Sequence, residues 1–336
     1  MSTASVQPYP IERIEGFRIG HSTDLEAATG CTVIVAPEGA TGGVDVRGGA
    51  PASRETDLLR PENTVQEVHA VCLSGGSAFG LEAASGVARE LEARGIGLDV
   101  GPTRVPIVCS SCIFDLAFGD ASVRPGIDEG RAAVRAALDH DPAPVAEGTV
   151  GAGTGATVGK LHGPATLMKG GLGARAIKVG PLEVGAVAVV NACGNVVDPA
   201  TGATIAGMRR AAGCLDIADM EETMLAEAER LAMPLDRTNT TISCIITNAR
   251  LTKAQATKVA QMAADAYAHV IRPTHTTNDG DTIYVLASGA MGDRDLPLDL
   301  IGVAATRALE EALCAGCTEA TGIHGAPCYA DLHGAH

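Results

Sequence analysis

The chain has no tryptophan, and its four phenylalanines and four tyrosines leave aromatic residues at 2% of 336 positions. Few ring faces are present on which bases could stack, and a formal net charge of −15 repels a polyanion. Nucleic-acid binding and docking to an anionic membrane are therefore not expected. Long apolar runs are missing too. No segment reaches the ~20 uninterrupted apolar residues of a membrane span. Residues 1–16 hold no basic stretch followed by an apolar core and a small-residue cleavage site. A cytoplasmic protein is expected.

No composition shift divides the chain. It has no Pro/Ser-rich linker, low-complexity tract or evident repeat, and its 41 glycines are scattered along the sequence. With 46% hydrophobic and 19% charged residues, the chain is long enough to bury one large core, so a single domain over residues 1–336 is expected. The ten cysteines stand mostly inside apolar runs, such as residues 31–35 (Cys-Thr-Val-Ile-Val), where a thiol behaves as a small buried hydrophobe. That is not a secreted disulfide framework. Two CxxC pairs, Cys109/Cys112 and Cys314/Cys317, have the formal ligand count for zinc. One lies in a strand-like run and the other in a helical one, where zinc would need knuckle loops. Neither a metal nor a cofactor is expected.

Hydrophobic periodicity gives strands and helices in turn. Residues 31–36 and 181–191 are β-branched, apolar and of strand length. Leu81, Ala84, Val87 and Leu91 stand at helical spacing, and residues 127–139 repeat that pattern. From Leu215 to Ala232, Asp216, Asp219, Glu221, Glu222, Glu227 and Glu229 interleave with apolar residues, which reads as a solvated helical face. Pro234 cannot continue a helix, so the chain should reach Asn239 in an irregular, accessible loop. Thr240 then opens TTISCIITN, whose β-branched residues are a strong strand signal. Thr252 and Gln255 form a capping box for a helix ending near Pro273. A polar turn over residues 276–281 leads to the strand-like TIYVLA, and a last helix is expected from about Pro297 to Cys314.

Several familiar motifs fail by one or two residues. The Gly-rich run 148–160 would be a phosphate loop only with glycine at 154 and a hydroxyl at 161. The chain has Thr154 and Leu161, and no clear strand precedes the run to make a dinucleotide fingerprint. Ser77 has Phe79 where a nucleophile elbow needs glycine. Asn278 to Asp281 lacks the spacing and terminal glutamate of a calcium loop. The nine histidines, with His324, His333 and His336 in the tail, show no HExxH spacing, so surface or capping roles are expected for them.

A larger pattern spans these pieces. Residues 70–83 (Ala-Val-Cys-Leu-Ser-Gly-Gly-Ser-Ala-Phe-Gly-Leu-Glu-Ala), Gly159-Lys160, Val190-Asn191, Asn239-Thr240-Thr241-Ile242-Ser243 and Asp279-Gly280-Asp281-Thr282 follow one another in that order. Together they resemble the landmarks of the self-processing amidases with the DmpA/ArgJ-like fold. That family includes DmpA-type aminopeptidases, β-peptidyl aminopeptidases and nylon-oligomer (6-aminohexanoate oligomer) endo-hydrolases. The resemblance is closest to the last group, which shares the Asn-Thr and Asp-Gly-Asp pairs. It implies an α/β fold, a four-layer α-β-β-α sandwich, cut between Asn239 and Thr240. The large fragment, 1–239, and the small fragment, 240–336, would stay associated, and processed units would form a homo-oligomer.

By the same resemblance Thr240 is the catalytic N-terminal nucleophile, Lys160 tunes its amine and hydroxyl, and Asn191 donates to the developing oxyanion. Asp279 and Asp281 orient the Thr240 ammonium or bind a substrate amine. Read without the resemblance, Lys160 is a solvated loop charge, Asn191 a strand-end turn residue and the Asp pair turn chemistry. Phe114 stands near a position where some members carry a tyrosine whose hydroxyl assists the oxyanion, a bond that phenylalanine cannot donate.

A threonine hydroxyl is a weak nucleophile near neutral pH and needs a base beside it. Once the 239–240 bond breaks, Thr240 carries one: a free α-amine, with an ordinary pKa of about 7.7–8.0, on the same residue. The expectation is a hydrolase of small peptides or oligoamides working through an acyl-enzyme. Two alternatives stay open at this point. Ornithine acetyltransferases share the architecture and pass the acyl group to an amine, usually after an Ala-Thr cut. A non-catalytic Gly-rich ligand-binding protein would remain one intact chain.

Overall fold

The computed structural model describes residues 6–228, 239–294 and 296–334. In chain order its principal elements are β1 (Arg18–Asp24), β2 (Thr29–Val46), β3 (Glu67–Ser74), α1 (Ala83–Ala93), β4 (Val108–Cys112) and α2 (Ile127–Leu138). There follow β5 (Gly171–Val179), β6 (Leu182–Asn191), β7 (Thr240–Thr247), α3 (Lys253–Ala263), β8 (Thr282–Ala287) and α4 (Leu298–Thr318).

The 18-residue β2 organises the rest. Its first half pairs antiparallel with β1 and β3, and its second half with β8. Between the halves the pairing to β3 shifts register from Val35 to Ala40. Pro37 lies there without an N–H to donate, and Gly39 takes a φ of 81°, so the strand bends. The hydrogen-bonded strands thus form one continuous path that folds over through β2 into two layers, one of β1 to β4 and one of β5 to β8.

Side-chain alternation fills the space between the layers. Ile34, Val71 and Leu73 from the first layer meet Leu172, Val187, Val189, Ile242, Cys244 and Ile246 from the second. On the outer face of the first layer, Val33, Val35, Ala70 and Cys72 pack against α1 and α2. On the outer face of the second, Ala186, Ala188, Val190 and Ile245 pack against α3 and α4. The order helix, sheet, sheet, helix is the expected four-layer sandwich. Close approach replaces aromatic bulk: a Cβ on Gly173 of β5 would lie 1.9 Å from the Ala312 carbonyl of α4.

Several local expectations change. The helix after Thr252 is two helices, Lys253–Ala263 and Asp265–Val270. The buried Tyr267 in the second sends its hydroxyl to the Thr241 carbonyl and Ser243 Oγ, contacts that fix the second piece against β7. Among the described residues of the acidic stretch, Met220–Ala226 is the helical part, capped by Asp219 on the Glu222 N–H. Residues 229–238, with Glu229, Arg230 and Pro234, lie outside the described residues, as does His336. The last helix runs on to Thr318. All ten cysteines are free thiols; Cys109 sits in the core between the sheets and Cys317 on the buried face of α4. Among the described residues no helix is long and apolar enough to cross a membrane.

Candidate active site

Thr240 is the first residue of β7, and β7 lies between β6 and β8. In the antiparallel register with β6 its direct partner is Asn191, the last residue of that strand. Both residues continue the inward-facing sets, Thr240 with Ile242 and Cys244, Asn191 with Val187 and Val189, so the two polar side chains share the face between the sheets. Both are buried, Thr240 to 5% exposure and Asn191 fully. The Asn239–Thr240 peptide is buried with them, which corrects the expectation of an accessible loop at Asn239. The strand's hydrogen bonds draw the bond into the sheet edge.

The Thr240 hydroxyl lies against the Asn239 carbonyl oxygen and donates to it. It also accepts the Gly280 N–H at 3.2 Å. Glycine at 280 is a requirement of this approach, because a Cβ there would stand 2.9 Å from Thr240 Oγ1 and 3.0 Å from its methyl.

The turn before β8 brings both aspartates to the same place. Asp281 Oδ1 accepts the Thr241 N–H at 2.7 Å, and its other oxygen accepts the His275 N–H at 3.1 Å and meets the His275 ring at 2.8 Å. Asp279 accepts the Thr276 N–H at 2.5 Å, while its own carbonyl takes the Ala50 N–H at 2.8 Å. Part of the Asp279 geometry is therefore turn chemistry, but burial removes it from the solvated turn that such chemistry alone would give. Burial, with the neighbouring Asp281 charge, pushes the Asp279 carboxyl up to about 6.

Lys160 extends from the end of the Gly-rich segment to Asn191. Its amine donates to Asn191 Oδ1 at 2.6 Å and to the Asn191 carbonyl at 3.2 Å. It is thus not a freely solvated loop charge. Burial pushes this amine down to about 7, against the opposing fields of Cys193, Asp279 and Asp115. Asn191 Oδ1 also accepts the Thr157 N–H at 3.1 Å, and Nδ2 donates to the Phe114 carbonyl at 3.1 Å. Phe114 therefore serves the site through its backbone. Phe114, with Phe118, Pro164, Leu167 and the buried Asp115, also lines a cavity of about 100 Å³ that Lys160 borders.

Thr240, Asn191, Lys160, Asp279 and Asp281 thus converge from four separated stretches of sequence. Neither Gly280, whose N–H meets the nucleophile candidate, nor His275 was among the expected site residues. His275 corrects the assignment of histidines to surface and capping roles: it bonds Asp281 and stacks on Tyr267 at a centroid distance of 5.3 Å. No spacing signal marks it, because the contact depends on the turn bringing residue 275 back against 281. A much larger groove, about 1200 Å³, lies on the helix side beside Asp265, His269 and Val303 and includes none of these site residues.

Known proteins resemble this chain over most of its length. Peptidase family S58 matches residues 10–328. An uncharacterized aminopeptidase of Mycobacterium tuberculosis (strain H37Rv) is 41% identical over 96% of this chain and 97% of its own length. Its counterpart in Mycobacterium leprae is 40% identical over 96% and 93%. A 6-aminohexanoate-oligomer endohydrolase of Paenarthrobacter ureafaciens is 33% identical over 84% of this chain and 75% of its own. Among solved structures, the L-aminopeptidase D-Ala-esterase/amidase of Ochrobactrum anthropi, described as a variant of the Ntn hydrolase fold, superposes with a TM-score of 0.69. It is 19% identical and is covered to 91%, with 97% of this chain, so it speaks for the fold alone. These matches favour amide hydrolysis over acetyl transfer and over a non-catalytic binder. The chain belongs to Peptidase family S58 and is a hydrolase of amide bonds.

Proposed function

We propose that the protein cuts its own Asn239–Thr240 bond and then hydrolyses small peptides or oligoamides with Thr240 as its N-terminal nucleophile. The observation that carries this reading is the placement of the Thr240 hydroxyl on the carbonyl group of the bond to be broken. In the first step Oγ1 attacks the Asn239 carbonyl carbon, the acyl group passes from nitrogen to oxygen, and water hydrolyses the ester. Proximity supplies much of the rate. The products are an Asn239 carboxylate and a free Thr240 amine. In the mature enzyme Oγ1 attacks a substrate amide, the Thr240 amine takes its proton, and water resolves the acyl-enzyme.

Asn191 and Lys160 supply hydrogen-bond donors beside Thr240, and the Asp279–Asp281 pair supplies negative charge for the new ammonium or for a substrate amine. The two fragments, 1–239 and 240–336, stay together, because β7 is hydrogen-bonded on one side to β6 of the large fragment and on the other to β8 of the small one. The likeness to 6-aminohexanoate-oligomer hydrolases, with the apolar cavity at Phe114, favours a short aliphatic acyl segment. Cytoplasmic residence fits the ten free thiols, and a homo-oligomer of processed units belongs to the same reading.

Denaturing gels and intact mass of the purified protein test it. The parent should give two fragments meeting at 239/240, and Thr240→Ala one uncut, inactive chain. A parent that stays whole while hydrolysing amides would defeat the mechanism.

A further inference from the structure

One buried charge lies next to the site but takes no part in the chemistry above. Lys169 is fully buried in a short ribbon in which Met168–Lys169 pairs with Thr157–Val158. Its amine donates to the carbonyls of Gly153 at 3.0 Å, Ala156 at 2.8 Å and Gly170 at 2.7 Å. A lysine has three N–H donors only when protonated, so three carbonyl acceptors select the ammonium. Burial acts the other way and pushes this amine down to about 7. The titratable groups that face it are Cys317, Cys328, Asp115 and Lys160.

The acceptor carbonyls lead to the site. Ala156 shares its peptide unit with Thr157, whose N–H donates to Asn191 Oδ1 at 3.1 Å, and that oxygen accepts Lys160 Nζ at 2.6 Å. From Lys169 Nζ to Lys160 Nζ the path is continuous: one peptide, one side-chain amide and the hydrogen bonds between them. A cation on a peptide's carbonyl polarises the peptide and strengthens the bond donated by its N–H.

Lys253 is a natural control within the same chain. It is also buried and also donates to three carbonyls, those of Leu58 at 2.9 Å, Asn63 at 2.9 Å and Val65 at 3.0 Å. Those carbonyls belong to the segment under α3 and lead to none of the site residues.

We propose that Lys169 is a positioning residue for this reaction: a fixed buried ammonium that orients the Asn191 amide through the Ala156–Thr157 peptide and, as a like charge, holds the Lys160 amine uncharged beside the nucleophile. The inference rests on the reading of Thr240 as the self-cleaving nucleophile and adds to it that the uncharged Lys160 amine takes the hydroxyl proton before the α-amine is released. Cys193, Asp279 and Asp115, whose fields also reach Lys160, are unchanged by substitution at 169.

The test is the pH dependence of self-cleavage in precursor made by cell-free synthesis, a reaction that needs no added substrate. Lys169→Gln keeps two N–H donors for the carbonyls but no charge; Lys169→Arg keeps the charge. The Gln variant should cleave at least about tenfold more slowly at pH 7, with the acid limb of its rate profile displaced about one unit to higher pH. The Arg variant should return the limb to the parent's position, and Lys253→Gln should not move it. A Lys169→Gln profile that coincides with the parent's, or is merely lowered without displacement, overturns the inference while leaving Thr240 as the nucleophile. A parent that fails to cleave at 239/240 overturns the reading beneath it instead.

If Lys169→Gln does not fold, nitrogen-15 spectra of the lysine amines in the Thr240→Ala precursor decide the matter. Lys169, with three carbonyl acceptors, should keep its proton to a higher pH than Lys160 does. A Lys169 amine that deprotonates before Lys160 overturns the proposal.

Discussion

The two ends of β7 carry the same residue in the same kind of position. Thr240 opens the strand and Thr247 closes it, each buried and each on a strand between β6 and β8. Thr247 has its bonding satisfied by local structure: its hydroxyl donates to the Glu183 carbonyl at 2.9 Å and accepts the Ala249 N–H at 3.2 Å. The neighbouring Asn248 closes the same corner, accepting the Glu183 N–H and donating to the Pro181 carbonyl. The hydroxyl at Thr240 lies instead on the carbonyl of its own preceding peptide and accepts the Gly280 N–H, on a strand whose facing residue Asn191 holds the Lys160 amine. Strand, burial and residue type are common to both ends. What differs is what other segments place around the hydroxyl.

The sharpest way to break this comparison is to exchange the outcomes. Thr240→Ala should abolish cleavage, whereas Thr247→Val should leave the cleavage rate within about twofold while removing both hydrogen bonds of the hydroxyl, roughly 2 kcal/mol in urea unfolding. Mass spectrometry with timed quenching reads the rates; a Thr247→Val chain that fails to cleave but folds normally contradicts the contrast. Next in size, Gly280→Ala should slow cleavage at least about tenfold, since the added methyl meets Thr240 Oγ1 at 2.9 Å and displaces the Gly280 N–H. Normal kinetics in that variant would show that the Gly280 contact is incidental.

A smaller effect concerns stability and pH. Asp279 has its carboxyl raised to about 6, so the fold favours the protonated form. Its contribution is most favourable below the ordinary carboxylate value and is lost as pH rises toward and through about 6. In a Thr240→Ala background, Asp279→Asn should therefore gain stability over its parent near pH 7.5, on the order of 2 kcal/mol, and little or none near pH 4. Equal unfolding midpoints at both pH values would mean that Asp279 is better solvated than its burial implies.

How much of this was legible beforehand varies by element. The strand at 240–247 and the strand ending at Asn191 could be read from β-branched runs, because the alternation that buries them is local. The resemblance to self-processing amidases supplied Lys160, Asn191, Asp279 and Asp281 as a group. Periodicity did not reveal that the 252–273 helix breaks at Ala264, since the contact of Tyr267 with β7 is tertiary. His275 and Lys169 gave no sequence signal: one is defined by a turn folding back on Asp281, the other by carbonyls from residues 153, 156 and 170 meeting at one point.

By itself the sequence determined the alternation of strands and helices and a threonine at the head of a strand. Only the tertiary structure decided that Asn191 would stand opposite that threonine, that Gly280 would donate to it, and that ionisable groups would be buried around it. The physical reason lies in range. Strand and helix propensities act over a few residues, whereas the shifts of Lys160 and Asp279 and the approach of Gly280 depend on atoms from segments that meet only when the bent β2 brings the two sheets face to face.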